Sequence, residues 1–132
     1  MPILALVSRD VRAAFQQKAA QQGLALALVE SAAEVAALVR EGKKFSVAIL
    51  PASLPDSGIW ALWGQVRLLN PRPEILIYAP KPDFSMWSGV LEAGGHDVLA
   101  EPFSAEQLYD AVTRAEKTFE QRVASGMEQD GA

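Results

Sequence analysis

Apolar residues are distributed along the chain in a pattern that predicts five short strands separated by helices. The predicted strands cover residues 3–7, 24–29, 45–51, 74–79 and 96–100. Between and after them, apolar side chains recur every three or four residues, as on a helix with one buried face. Connections of a few residues imply right-handed crossovers and a parallel sheet covered on both faces. The predicted fold is α/β, a single doubly wound five-stranded parallel sheet of order 2-1-3-4-5 with five helices.

Capping residues mark two of the helix starts. Ser31 with Glu34, and Ser104 with Gln107, have the three-residue spacing of a capping box, which satisfies free amides at the start of a helix. They predict the beginnings of the second and fifth helices. The fourth helix is expected to be weak, because Gly89 in its interior costs about 1 kcal/mol relative to alanine.

The third apolar run is the one on which the rest of the chain depends. Residues 45–51 are apolar except for Ser46 and end in proline, which is typical of a strand buried on both faces. In parallel sheets, ligands bind beyond the carboxyl ends of the central strands. Residues 51–58 are therefore expected to decide what the domain does.

Composition narrows the class of protein. The 132 residues fit one domain, predicted to cover residues 1–123 with a disordered tail or linker at 124–132. A net charge of −4 with scattered basic residues provides no basic patch for nucleic acid. The absence of cysteine excludes disulfides and thiol chemistry. No apolar run approaches the roughly 20 residues of a membrane span, so a cytoplasmic protein without membrane contact is expected.

Two motifs carry a resemblance to a known family. The motifs are Leu54-Pro55-Asp56-Ser57-Gly58 and Glu92-Ala93-Gly94-Gly95-His96-Asp97-Val98-Leu99-Ala100-Glu101-Pro102-Phe103. At this separation they resemble segments of receiver domains, the phospho-accepting modules of two-component response regulators. The resemblance runs from about residue 3 to about residue 115. It implies a CheY-like fold and a role in signal transduction by phosphorelay proteins.

The chain departs from that family at the positions that carry phosphorylation. It has Ser8 and Arg9 for the acidic metal-binding pair, Pro51 for the phospho-accepting aspartate, Ala79 for the threonine or serine, and Glu101 for the lysine. Proline has no nucleophile to accept a phosphoryl group. Mg²⁺ requires oxygen ligands, and an arginine side chain supplies none. Phosphoryl transfer also depends on charge neutralisation, which a glutamate opposes. We therefore expect a degenerate pocket with no catalytic residue, no metal and no cofactor.

Three alternatives for this pocket stay open. Arg9 and Glu101 are expected on neighbouring loops and are hypothesised to pair across the pocket; otherwise both point into solvent. A small ligand or flavin-like cofactor is the second alternative, and it would make the domain a sensor or an enzyme. Its apolar floor would consist of Pro51, Ala52, Ala79 and Pro102. Phosphorylation at a displaced residue such as Asp10 is the third.

Aromatic residues predict a docking surface. Trp63 falls on the apolar stripe of the third helix and is expected in the core, whereas Trp87 aligns with an outward position in receivers. Tryptophan is enriched in interface hot spots. The expected face, on the fourth helix, fifth strand and fifth helix, consists of Phe84, Trp87, Val98 and Tyr109. The alternative is that Trp87 folds back to cover a loosely packed helix.

The last helix carries an apolar seam with a heptad-like spacing. Its members are Leu108, Val112, Ala115 and Phe119. The seam is either the inner face of a long terminal helix or the start of a signalling helix that leads to an output domain.

Other polar residues are interpreted as structural. His96 is the single histidine and is predicted at the amino end of the fifth strand, opposite the pocket. Asp56 and Asp97 are expected in surface turns. The expected function is therefore non-enzymatic protein–protein docking without phosphorylation, with a protein partner or a second copy of the chain, and with a C-terminal output domain in a longer protein.

Overall fold

Five parallel strands alternate with five helices in the computed structural model, which describes residues 2–7, 9–52, 59–81 and 83–126. The strands are β1 Ile3–Leu6, β2 Leu26–Val29, β3 Val47–Pro51, β4 Glu74–Ala79 and β5 Asp97–Ala100. The helices are α1 Arg9–Gln21, α2 Ala32–Arg40, α3 Ile59–Val66, α4 Phe84–Glu92 and α5 Ala105–Ala124. The sheet order is β2-β1-β3-β4-β5, and every neighbouring pair is parallel. The predicted fold class and strand order are confirmed.

Three strands begin later than predicted, among them β3, which starts at Val47 rather than at residue 45. Strand β2 starts at Leu26 rather than residue 24, because the amide of Leu24 bonds to the carbonyl of Ala19 and so closes α1. Gly23 makes that closure with a φ of 68°. Strand β5 starts at Asp97 rather than at His96.

Alternating side chains of the sheet divide the core into two layers. Val47 and Ile49 of β3 pack with α1 and α5, whereas Ala48 and Leu50 pack with α2 and α3. All five residues of β3 are buried, which confirms that the strand is covered on both faces. The pattern that predicted the strand therefore also places it at the centre of the sheet.

Helix α4 differs from the others because none of its residues is buried. Asp83 caps its start by accepting a hydrogen bond from the amide of Met86 at 2.8 Å. Gly95, just after the helix, packs closely against it, since an added Cβ would lie 2.5 Å from Cγ1 of Val90. The helix therefore lies on the surface of the domain, with Val90 packed against the core.

Replacing Gly89 with alanine should stabilise the protein by about 1 kcal/mol, since Gly89 lies inside α4 and an added Cβ meets no atom within 4 Å. Equilibrium urea unfolding would measure the change. Gly94→Ala is the matched control, because a φ of 95° strains an alanine there and should make that variant less stable. A destabilised Gly89→Ala variant would show that α4 is not a regular helix at this point.

The second half of α5 is bound to the base of the sheet by three polar contacts. The hydroxyl of Ser46, before β3, donates to Glu116 at 3.3 Å. Nε2 of His96, before β5, lies 3.2 Å from the hydroxyl of Thr118. Each contact joins the amino end of a strand to the helix, so the second half of α5 is held against that end of the sheet.

The third contact is a buried ion pair. Nη1 of Arg122 lies 2.9 Å from Oε2 of Glu74, and the two side chains are only 9% and 12% exposed. Arg122 also bonds to the carbonyl of Arg72 and lies over the ring of Phe119. All four seam residues of α5 are buried in the domain's own core. The seam therefore forms the inner face of α5, and the alternative of a signalling helix that leads to an output domain stays a prediction.

Candidate functional site

The carboxyl edge of the sheet brings together three residues of the predicted pocket, Pro51, Ala79 and Glu101. Pro51 and Ala79 end the adjacent strands β3 and β4, and both are buried. The amide of Ala52 bonds to the carbonyl of Tyr78, and the amide of Glu101 bonds to the carbonyl of Ala79. Main-chain hydrogen bonds thus hold the start of each following loop against β4.

The chemistry at this edge is limited by its side chains. Pro51 and Ala79 present only hydrocarbon, and Glu101 is half-buried. In the part of the chain that the structure describes, no group of three histidine, aspartate or glutamate residues could hold a metal ion. Ser8, the side chains of Arg9 and Asp10, and residues 53–58 lie outside the described residues. The pairing of Arg9 with Glu101 therefore stays a hypothesis.

A cavity of about 320 Å³ lies beside the predicted pocket floor rather than on it. Its apolar lining consists of Val11, Ala14, Phe15, Pro80, Pro102 and Phe103. Pro102 is the one residue it shares with the predicted floor among the described part of the chain. Sequence reasoning missed the cavity, although Val11, Ala14 and Phe15 lie on the same stripe of α1.

A second surface feature is the row of exposed apolar side chains on α4 and α5. Phe84 is 78% exposed, Trp87 43% and Tyr109 42%, and Leu91 lies beside them on α4 with 38% exposed. The rings of Phe84 and Trp87 are in contact, with their centroids 6.2 Å apart. Trp63, in contrast, is buried as expected.

Trp87 is also joined to the sheet by a hydrogen bond, and its role in docking stays a prediction. Its Nε1 donates to Oδ1 of Asp97 at 3.3 Å, and the same oxygen accepts from the amide of Val98 at 2.8 Å. Asp97 therefore opens β5 and joins it to α4; its expected place in a surface turn is wrong. The bond orients the indole while leaving much of the ring exposed.

A polar groove of about 210 Å³ runs beside this row, between β5 and α5. Val98, which is half-buried, lies on its floor, and Asp110 and Arg114 line its wall. Nη2 of Arg114 lies 4.0 Å from Asp97, and its side chain is 66% exposed. The groove adjoins the edge of the sheet, since β5 is the last strand in the order.

Solved structures share this architecture. A CheY-like response regulator receiver domain protein from Methanospirillum hungatei JF-1 superposes with a TM-score of 0.73, covering 92% of this chain and 97% of that one at 18% identity. NtrX from Brucella abortus superposes with a TM-score of 0.79, covering 96% of this chain but 30% of that one at 19% identity. This is the receiver-domain fold.

A curated protein is similar in sequence as well. The C4-dicarboxylate transport transcriptional regulatory protein DctD of Rhizobium meliloti (strain 1021) is 28% identical over 110 residues. The match covers 83% of this chain and 24% of that protein, so the chain spans about a quarter of the length of the relative. No family model matches the chain.

The receiver fold explains why the motif around β5 is informative. Gly94 turns the chain after α4 with a φ of 95°, and Gly95 leaves room for Val90. Asp97 bonds to the amide of Val98 as the strand begins. Pro51 and Ala79, in contrast, end their strands with hydrocarbon side chains. None of the helices in the described ranges is long and apolar enough to cross a membrane.

Proposed function

We propose that this chain is a pseudoreceiver, a receiver-fold domain of the cytoplasm that docks to another protein without being phosphorylated and without catalysing a reaction. The observation that carries the proposal is the exposed apolar row Phe84, Trp87, Leu91 and Tyr109, with half-buried Val98 beside it. Helix α4 buries none of its residues in the domain's own core. The exposed side chains of Phe84, Trp87 and Leu91 are therefore available to a partner.

The chemistry of the sheet edge supports the phosphorylation-independent part. Pro51 and Ala79 carry no hydroxyl or carboxylate. Glu101 places an acidic group where a phosphoryl oxygen would need a cation. A domain built this way conveys a signal through the shape of its surface.

We further propose a second copy of the chain as the partner on the α4–β5–α5 face. The face combines apolar residues with charges of both signs, Arg114 and Asp110, on the same groove. A two-fold axis that brings Arg114 of each copy to Asp110 of the other would form two equivalent ion pairs, because a symmetric interface joins the same patch to itself. Trp87 is an oriented aromatic anchor at its centre.

The relatives suggest where the signal goes. DctD and NtrX are much longer than the segment that this chain matches. We propose that the domain adjoins an output domain after residue 124 in a longer protein. Because Arg122 binds the end of α5 to the base of the domain, an output domain would be attached at a set position rather than through a free helix.

Replacing Trp87 with alanine should weaken self-association about 30-fold, since truncating a hot-spot residue costs about 2 kcal/mol. Sedimentation velocity over a concentration series measures the change. Leu68→Ala is the matched control: Leu68 is 61% exposed but follows α3, away from the proposed face, and its truncation should leave association unchanged.

Acetyl phosphate with Mg²⁺ should add no mass to the protein and should not alter its association.

Three outcomes would contradict the proposal. Equal effects of Trp87→Ala and Leu68→Ala would exclude this face. A wild-type chain that stays monomeric throughout the series would exclude the homodimer. A mass gain of one phosphoryl group would show that the chain accepts phosphate and would overturn the pseudoreceiver interpretation.

A further inference from the structure

The cavity beside α1 is built from one helix stripe facing one turn, and it shares Phe103 with the polar groove beside the docking face. The helix side of the cavity is one face of α1. Its residues, spaced by three, one and three positions, are Val11, Ala14, Phe15 and Lys18. Opposite them lies the turn of residues 101–103. The two sides of the cavity pack against each other, because the buried rings of Phe15 and Phe103 are in edge-to-face contact with centroids 6.1 Å apart.

The cavity has two charged residues of opposite sign in a lining that is otherwise apolar. Nζ of Lys18 lies 5.0 Å from the ring centroid of Phe103, so the ammonium group is folded over the aromatic wall instead of extending into solvent. Glu101 lines the same cavity and is half-buried. Within the described ranges, neither Lys18 nor Glu101 forms an ion pair with another residue.

The size and charges of the cavity restrict what it can hold. A volume of about 320 Å³ is at the lower end for small-molecule sites, which suits a ligand with few heavy atoms. A simple carboxylate would be attracted by Lys18 but repelled by Glu101. A simple amine would be attracted by Glu101 but repelled by Lys18. A ligand that carries both a carboxylate and an ammonium group can place an opposite charge beside each of the two residues. Its apolar part can contact the aromatic wall.

We propose that this cavity binds an apolar α-amino acid. The ligand carboxylate faces Lys18, its ammonium group faces Glu101, and its side chain lies against Phe15 and Phe103. The site goes beyond the docking function, since it uses none of the exposed residues of α4. It would give the domain a small-molecule input that replaces phosphorylation.

The test uses L-phenylalanine as the probe on the full chain, with binding measured by calorimetry and by the shift in melting temperature. Phenylalanine should raise the melting temperature at millimolar concentration. Phenylacetate, which lacks the ammonium group, and phenethylamine, which lacks the carboxylate, should each give less than a third of that shift. Glycine, which lacks the apolar side chain, should give none.

Substitutions assign the two charges separately. Lys18→Met and Glu101→Gln should each weaken phenylalanine binding tenfold or more, and Glu101→Gln should also strengthen phenylacetate binding because the opposing carboxylate is gone. Lys117→Met is the control, since Lys117 is an exposed lysine of α5 outside the cavity. Ala14→Trp should abolish binding by filling the space, while Trp87→Ala should bind phenylalanine like the wild type.

Three results would overturn the proposal. The first is no shift with phenylalanine. The second is phenylacetate or phenethylamine binding as tightly as phenylalanine. The third is equal binding by Lys18→Met and Lys117→Met. Failure here leaves the sedimentation test of the α4 face unaffected, so the two proposals stand or fall separately.

Discussion

Replacing Arg122 with alanine should lower the free energy of unfolding by about 3–5 kcal/mol, because removing one member of a buried ion pair leaves the other charge without its partner. The remaining group would be Glu74, whose side chain is only 12% exposed. The variant also loses the bond to the carbonyl of Arg72 and the contact with the ring of Phe119. Urea unfolding followed by tryptophan fluorescence measures the loss.

Arg114→Ala is the control for this experiment. Arg114 lies on the same helix, but its ion pair with Asp97 is longer, at 4.0 Å, and its side chain is 66% exposed. Its truncation should cost no more than about 1 kcal/mol. Combining Arg122→Ala with Glu74→Gln should cost less than the sum of the two single changes, since the two residues interact. Similar losses for Arg122→Ala and Arg114→Ala would show that the ion pair does not hold α5 to the sheet.

Replacing Leu50 with alanine should lower the free energy of unfolding by about 2–5 kcal/mol, because Leu50 is fully buried on the face of β3 that packs with α2 and α3. The same change at Leu91 should cost only about 0.5 kcal/mol, because that side chain is 38% exposed on α4. The pair compares one substitution at two positions that the apolar pattern alone does not distinguish.

The comparison bears directly on function. If Leu91→Ala costs as much stability as Leu50→Ala, α4 belongs to the core and its apolar residues are not available for docking. If Leu91→Ala leaves stability unchanged but weakens self-association, the side chain serves the interface. Measuring both quantities on each variant separates folding from docking.

Much of the fold was predictable because its signals are local. The apolar run at 45–51 indicates a strand covered on both sides, and β3 is the centre of the sheet. The capping-box spacing of Ser104 and Gln107 marks the start of α5, where both reciprocal hydrogen bonds form. Trp63 was assigned to the core and Trp87 to the surface from helical spacing and the receiver resemblance.

The candidate sites were less predictable because their residues are distant along the chain. Lys18 and Phe103 meet at the cavity although 85 positions separate them in the numbering. The role of Asp97 depends on the indole of Trp87, which reaches it from the neighbouring element. No spacing rule within one element indicates such contacts.

The alternation of strands and helices follows from the sequence alone, as does the chemical identity of residues 51 and 79, which carry neither a nucleophile nor a hydroxyl. The position of α5 along its own domain, the burial of Arg122 against Glu74 and the charged and aromatic cavity beside α1 are visible only in the folded chain. The two kinds of feature differ in the distance along the chain over which their causes act. Hydrophobic periodicity and capping act over a few residues, whereas contacts between elements depend on how each helix is rotated and placed against the sheet.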